Sequence, residues 1–301
     1  MIHKDKGLIV YVDCQPSEQL IYNDEIVACF VALICPDPNA FSKYKQYKEV
    51  PADERPLIAE QIADDLSSAH DIYCIGSEGN YSSIKKIGNE FISKIIDKIE
   101  ENIIEEYKEG YKIYGRKLNS NVAVFIPWYA NTLLIMGYYA AKFAYEFADA
   151  IDIKKITFSL DRLPGDPKAA MEFIKLMSSY PAIFNCWKKL EGEFGVNFEF
   201  ANMQYFTDPE GNRLDSRLHP GMILIDWVVH SIFNYKNKIE NIDKGTRSES
   251  YRKSIMKPFD ILVKNNRINL LPFYGIGFIK GEGEAKKFIE HHNLKSAFHI
   301  D

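Results

Sequence analysis

The stretch Gly7-Leu8-Ile9-Val10-Tyr11-Val12-Asp13 is an apolar, largely β-branched run that stops on a carboxylate, with Gln15-Pro16-Ser17 behind it as turn material. That pattern predicts a core strand with a charged end. Ile26 to Ile34 is a second run of this kind, closed by Pro36 and Pro38, and its distance from the first predicts an antiparallel hairpin with a long loop. Lys155 to Asp161 repeats the pattern, Ile156-Thr157-Phe158-Ser159-Leu160 leading into Asp161.

Residues 39–70 are polar and mostly helical in pattern. Asp71 to Ile75 has the composition of a short strand, and Gly76, Gly79 and the polar residues around them predict a loop. From Ser82 to Glu109 isoleucines and Phe91 recur every three or four residues, the spacing of an amphipathic helix. Leu118 to Ala141 carries no charge and is long enough to span a bilayer, but Pro127, Asn131 and Thr132 interrupt it. It reads as a strand over 122–126 and a helix from about Ala130. Asp166 and Pro167 open a further helix that runs, with a break at Pro181, to about Gly192. Val196 to Ala201 is a strand. His219-Pro220-Gly221 precedes a buried helix over Met222 to Phe233 that carries Asp226 in its second turn, and a strand-like Ile268 to Phe273 and a terminal helix close the chain.

With about 39–117 set aside as a helical insertion, the order is strand, strand, strand, helix, strand, helix, strand, helix. This is the order of an RNase H-like domain, an α/β fold with a mixed five-stranded sheet flanked by helices. It would occupy residues 1–235, with 236–301 a basic C-terminal extension packed on the same domain. In such a sheet the first strand is central and pairs in parallel with the fourth, so Asp13 and Asp161 at their ends become neighbours. The buried helix brings Asp226 to the same place. Its flanks, Met222-Ile223-Leu224-Ile225 and Trp227-Val228-Val229, are apolar, and an ionised carboxylate there requires a partner or a metal. Three carboxylates within a few ångströms repel, a conflict that a divalent cation removes, and hard oxygen ligands with open water positions suit Mg2+ or Mn2+. On this view Asp226→Ala leaves the fold intact or stabilises it. The Arg162 guanidinium matches a phosphate or a neighbouring carboxylate. His219 and His230 are candidates for phosphate contact or proton transfer, and Glu78 for a further carboxylate. The simpler readings are strand-end caps for Asp13 and Asp161, solvent for Arg162, structural rings for the histidines and an ordinary loop position for Glu78.

Tyr11-Val12-Asp13-Cys14, Phe158-Ser159-Leu160-Asp161-Arg162 and Pro220-Gly221-Met222-Ile223-Leu224-Ile225-Asp226 together resemble, in order and context, the RNase H-like family called domain of unknown function 3800. The resemblance runs over about residues 7–235. It implies a metal-dependent nuclease-type site at Asp13, Asp161 and Asp226 and a setting of bacterial or phage-related genome conflict. Two departures stand out. Cys14-Gln15-Pro16 replaces the family's glutamate-serine-glycine, and the glutamine and alanine usual before the last aspartate are absent.

The whole-chain balance excludes several classes. At net charge −5 nothing global advertises a polyanion partner. The five cysteines are scattered without a C-x-x-C pair, which predicts reduced, buried thiols in a cytoplasmic protein. Gly275-Ile276-Gly277-Phe278-Ile279-Lys280 lacks the third glycine of a dinucleotide fingerprint, His291-His292 lacks zinc-helix spacing, and neither a P-loop nor a nucleophile elbow occurs. From Lys236 to Arg267 nine Lys/Arg stand against four Asp/Glu with aromatics between them, a candidate nucleic-acid (DNA or RNA) surface whose plain alternative is a solvated helix. The helix at 83–109 is a candidate protein-docking element, and no membrane partner is expected. The two functional readings are a metal-dependent nuclease, or related phosphodiester-processing enzyme, and a non-catalytic binding or assembly protein on the same fold.

Overall fold

The computed structural model describes residues 7–15, 27–69, 71–80, 82–84, 86, 126–146, 153–160, 181–202, 219–237 and 249–272. The chain divides into two compact units: Met1–Glu78, Thr157–Arg162 and Ala201–Leu271 form the first, and Gly79–Ile156, Leu163–Phe200 and Pro272–Asp301 the second. It is an α/β protein with a mixed sheet of β1 (Gly7–Gln15), β2 (Val27–Ile34), β3 (Tyr73–Asn80), β4 (Lys155–Leu160), β5 (Asn197–Asn202) and β6 (Ile268–Pro272). The helices are α1 (Arg55–Ser68), α2 (Ile126–Glu146), α3 (Pro181–Phe194), α4 (Pro220–Asn237) and α5 (Glu249–Lys264), with short 3-10 turns at Pro38–Phe41 and Tyr47–Glu49.

The strand order is β5-β4-β1-β2-β3-β6. Among the described residues six strands replace the expected five, for two reasons. The glycine-rich run after Ile75 is strand, not loop, because Gly76 is where side chain and backbone crowd in: a Cβ there would collide with the Leu270 side chain and press on the Phe30 carbonyl. The C-terminal extension also supplies a strand. α5 ends with Asn266 at φ 54°, the Asn266 N–H on the Val263 carbonyl and the Arg267 N–H on that of Leu262, a left-handed cap that turns the chain toward β6. The Arg267 carbonyl then accepts the Cys74 N–H at 2.8 Å. Ile126, expected to end a strand, already belongs to α2, and the rest of that expected strand lies outside the described residues. The helix expected over 83–109 and the helix start at Asp166 and Pro167 also lie outside them, but for 83, 84 and 86.

β1 and β2 are antiparallel, with Tyr11 opposite Leu33, Asp13 opposite Val31 and Gln15 opposite Cys29. Side chains alternate across a strand, so the odd-numbered residues of both share one face. Tyr11, Cys29, Val31 and Leu33 belong to a core completed by α1, α4 and α5. At its centre is α4, buried at every position from Gly221 to Asn234. A helix buried all round must settle each polar group internally. The Ser231 hydroxyl accepts the Phe259 N–H at 3.1 Å, just after Pro258 interrupts the backbone ladder of α5. Asn237 grips the Val27 backbone with both ends of its amide, at 2.6 and 2.9 Å.

In the second unit, Gly137 of α2 lies so close to the Trp187 ring that a Cβ would overlap it. Gly195, at φ +65°, ends α3 and lets the Val196 N–H reach the Glu191 carbonyl at 3.2 Å. Among the described residues no helix is long and apolar enough to cross a membrane.

Candidate carboxylate site

Two contacts fix how α4 lies along β1. At the start of α4, Gly221 abuts the Tyr11 ring, where a Cβ would fall inside it. Farther along, the His230 Nε2 lies 3.2 Å from the Gln15 side-chain nitrogen. Four residues of strand and nine of helix each cover about 13 Å, so helix and strand advance in step. Asp13 is midway between Tyr11 and Gln15 on the same face, which sets it level with the second turn of α4. Asp226 occupies that turn. Asp13 is 8% exposed and Asp226 7%, so both carboxylates are removed from bulk water.

Asp226 is provided for by the chain itself. Its Oδ2 accepts the Tyr47 backbone N–H at 2.6 Å, and its Oδ1 lies 3.5 Å from the His230 Nε2. Asp13 accepts the Cys14 N–H at 2.7 Å. The Tyr47 ring stacks on His230 with centroids 4.0 Å apart, meets Trp227 edge-on at 5.0 Å, and carries the Arg55 guanidinium 4.4 Å from its centre. The Trp227 indole N–H donates to the Lys45 carbonyl at 2.8 Å. Arg55 in turn donates from Nε to the Val50 carbonyl at 3.0 Å. The segment from Lys45 to Arg55 is thereby laid over Asp226.

Burial, reinforced by the Lys48 and Arg55 charges, drives the His230 pKa down to about 3, so its ring is neutral at pH 7. A Gln15 amide N–H donating to Nε2 requires the ring proton on Nδ1. At 3.5 Å, with that amide on the same nitrogen, the Asp226 contact joins a carboxylate to a neutral ring and is no ion pair.

The other expected residues fall as follows. His219 caps α4: its Nδ1 accepts the Gly221 N–H at 3.3 Å and its ring lies 5.2 Å from that of Tyr11. Glu78 is held by Lys236 at 2.7 Å, about 15 Å along α4 from Asp226. Asp161 and Arg162 lie outside the described residues, directly after β4, the neighbour of β1. Among the described residues of the basic extension, Lys236, Lys253 and Lys257 pair with Glu78, Glu249 and Glu60, and Arg267 donates to the Leu66 and Ala69 carbonyls. Much of that positive charge is engaged within the fold. Cys14, Cys29, Cys35 and Cys74 are free thiols, and burial pushes that of Cys35 up to about 12. Sequence reasoning missed Tyr47, Arg55 and Gln15. Only the position of Gln15, two residues beyond Asp13 on the same strand face, gave a signal that could have found it.

Among the described residues no group of three or more His, Cys, Asp or Glu is arranged to hold a metal ion. Two buried carboxylates are nonetheless the donor type that Mg2+ takes one or two at a time, with water and substrate phosphate in its other positions. No protein-family model matches the chain, and no curated protein matches it.

Proposed function

We propose that the protein is a divalent-metal-dependent phosphodiester-processing enzyme of RNase H-like architecture, a nuclease or close relative acting in the cytoplasm. The reading rests on one observation: Asp13 and Asp226 are buried at the same level on one face of the sheet, from a strand flanked by β4 and a helix packed along it. The strand order supports it, since β1 has β4 on one side and β2 on the other. Asp161 would be the third carboxylate and Arg162 the group that orients a phosphate. Mg2+ or Mn2+ would supply the charge that lets ionised carboxylates share the pocket and would polarise a phosphodiester. Asp13 and Asp226 would fix the ion, and Tyr47, His230 and Gln15 would keep bulk water from the back of the site.

The test is calorimetric titration of Mn2+ and Mg2+ into metal-free protein, wild type beside Asp13→Asn/Asp226→Asn, followed by labelled DNA and RNA as substrates. Binding that the double variant loses, with metal-dependent cleavage of one polymer, is the expected result. Equal heats in both proteins turn the assignment to the second reading, a non-catalytic binding or assembly protein. That reading has its own support: the Tyr47 N–H already attends Oδ2 of Asp226.

A further inference from the structure

We propose that the Tyr47 peptide N–H stands in for a cation on Asp226, so that the segment over Asp226 is a latch that releases Oδ2 when metal binds. This rests on the metal-dependent reading above. An N–H and a divalent cation are both electrophiles seeking the same carboxylate lone pairs. At 2.6 Å the Tyr47 contact is shorter than an ordinary N–H···O bond and has the character of a charge-assisted one. The bond also has a local cause. Tyr47 opens a 3-10 turn whose preceding residue, Gln46, makes no side-chain bond to it, and Asp226 supplies the missing acceptor.

The contacts around the latch allow local release. Trp227 holds the Lys45 carbonyl, Arg55 holds that of Val50, and the Tyr47 ring lies between His230 and the Arg55 guanidinium. None of these contacts uses the Tyr47 N–H. A rotation of the 46–47 peptide, which gives up only the bond from the Glu49 N–H to the Gln46 carbonyl at 3.0 Å among the contacts described, can therefore free Oδ2 while ring and indole stay seated. Release of one oxygen would let Asp226 face the same ion as Asp13.

The backbone supplies a clean variant. Gln46 sits at φ −58°, ψ 151°, the conformation that a residue before proline adopts, and Tyr47 is the first residue of a helical turn, where proline fits. Tyr47→Pro removes ring and N–H together, whereas Tyr47→Ala removes the ring alone. The comparison isolates the N–H. Calorimetric titration with Mn2+ is expected to show Tyr47→Pro binding about tenfold tighter than Tyr47→Ala, or ~1.4 kcal/mol. In the wild type, saturating Mg2+ is expected to speed hydrogen exchange of the Tyr47 amide at least about tenfold while the Trp227 indole stays protected. Metal binding by the wild type with equal affinities for the two variants and unchanged Tyr47 exchange overturns the latch and leaves the metal site standing. No binding by any of the three proteins overturns both. Should Tyr47→Pro fail to fold, the wild-type exchange measurement decides alone.

Discussion

Asp226 shows how one partner reverses the sign of a substitution. In sequence its repulsion with two other carboxylates suggested a charge whose removal leaves the fold intact or stabilises it, but the Tyr47 N–H depends on it. Asp226→Ala leaves a buried N–H without its acceptor, which costs about 1–3 kcal/mol. Asp226→Asn keeps an oxygen in place and costs less. Urea denaturation of the two variants beside wild type checks the order, and an alanine variant as stable as wild type would remove the Tyr47 contact from the account. What sequence made legible at this scale was the burial of Asp226, through the apolar residues on either side. Its partner was hidden because Tyr47 lies 179 residues away in the chain and donates a backbone group that every residue but proline carries.

Elements were legible where periodicity was strong and hidden where contacts between elements set the outcome. β1, β2, β4 and α4 announced themselves by composition. β3 did so only at its start, in Asp71 to Ile75; its continuation was hidden, since Gly76 answers to the crowding of Leu270 and Phe30. α5 holds a proline because α4 offers a substitute partner: the Ser231 hydroxyl takes the Phe259 N–H. Ser231→Ala should therefore destabilise by about 1–3 kcal/mol through an orphaned buried N–H. Ser231→Ala/Pro258→Ala, with the ladder of α5 restored, should recover part of that loss, and strict additivity in urea denaturation would sever the link. α1 and α5 are also joined at Glu60, whose carboxylate Lys257 and then Ser254 hold below its ordinary value of 4.5. A lowered folded-state value gives a contribution that is full above pH 4.5 and fades as pH falls through the folded value. Glu60→Gln should accordingly flatten the acid limb of stability below about pH 5 without shifting the neutral plateau much, because an exposed pair contributes little. Urea midpoints measured down the acid range test this, and an unchanged limb counts against the staple.

At the scale of the whole molecule, the first unit is built around a helix that has no solvent face over Gly221 to Asn234. From Gly221 to Asn234 every position of α4 is buried, and its polar groups bond inward, Asn234 to the His230 carbonyl and Ser231 to the Phe259 N–H. Helices exposed on one side open by fraying, but α4 has β1 and β2 against it, α5 across it and the turn at Pro38–Phe41 beside it. No local motion can wet its amides while those layers remain. Exchange from Ile225 to Phe233 should therefore proceed only through cooperative opening of the first unit, with an opening free energy equal to that unit's stability and the same urea dependence. The Tyr47 amide, at the end of a single bond to Asp226, should exchange through a smaller and nearly urea-independent opening. Native-state hydrogen exchange resolved by residue measures both. If α4 instead exchanges through small, urea-independent openings, it is not the centre of the unit, and the level at which Asp13 and Asp226 meet is not held rigidly enough to place two ligands on one ion.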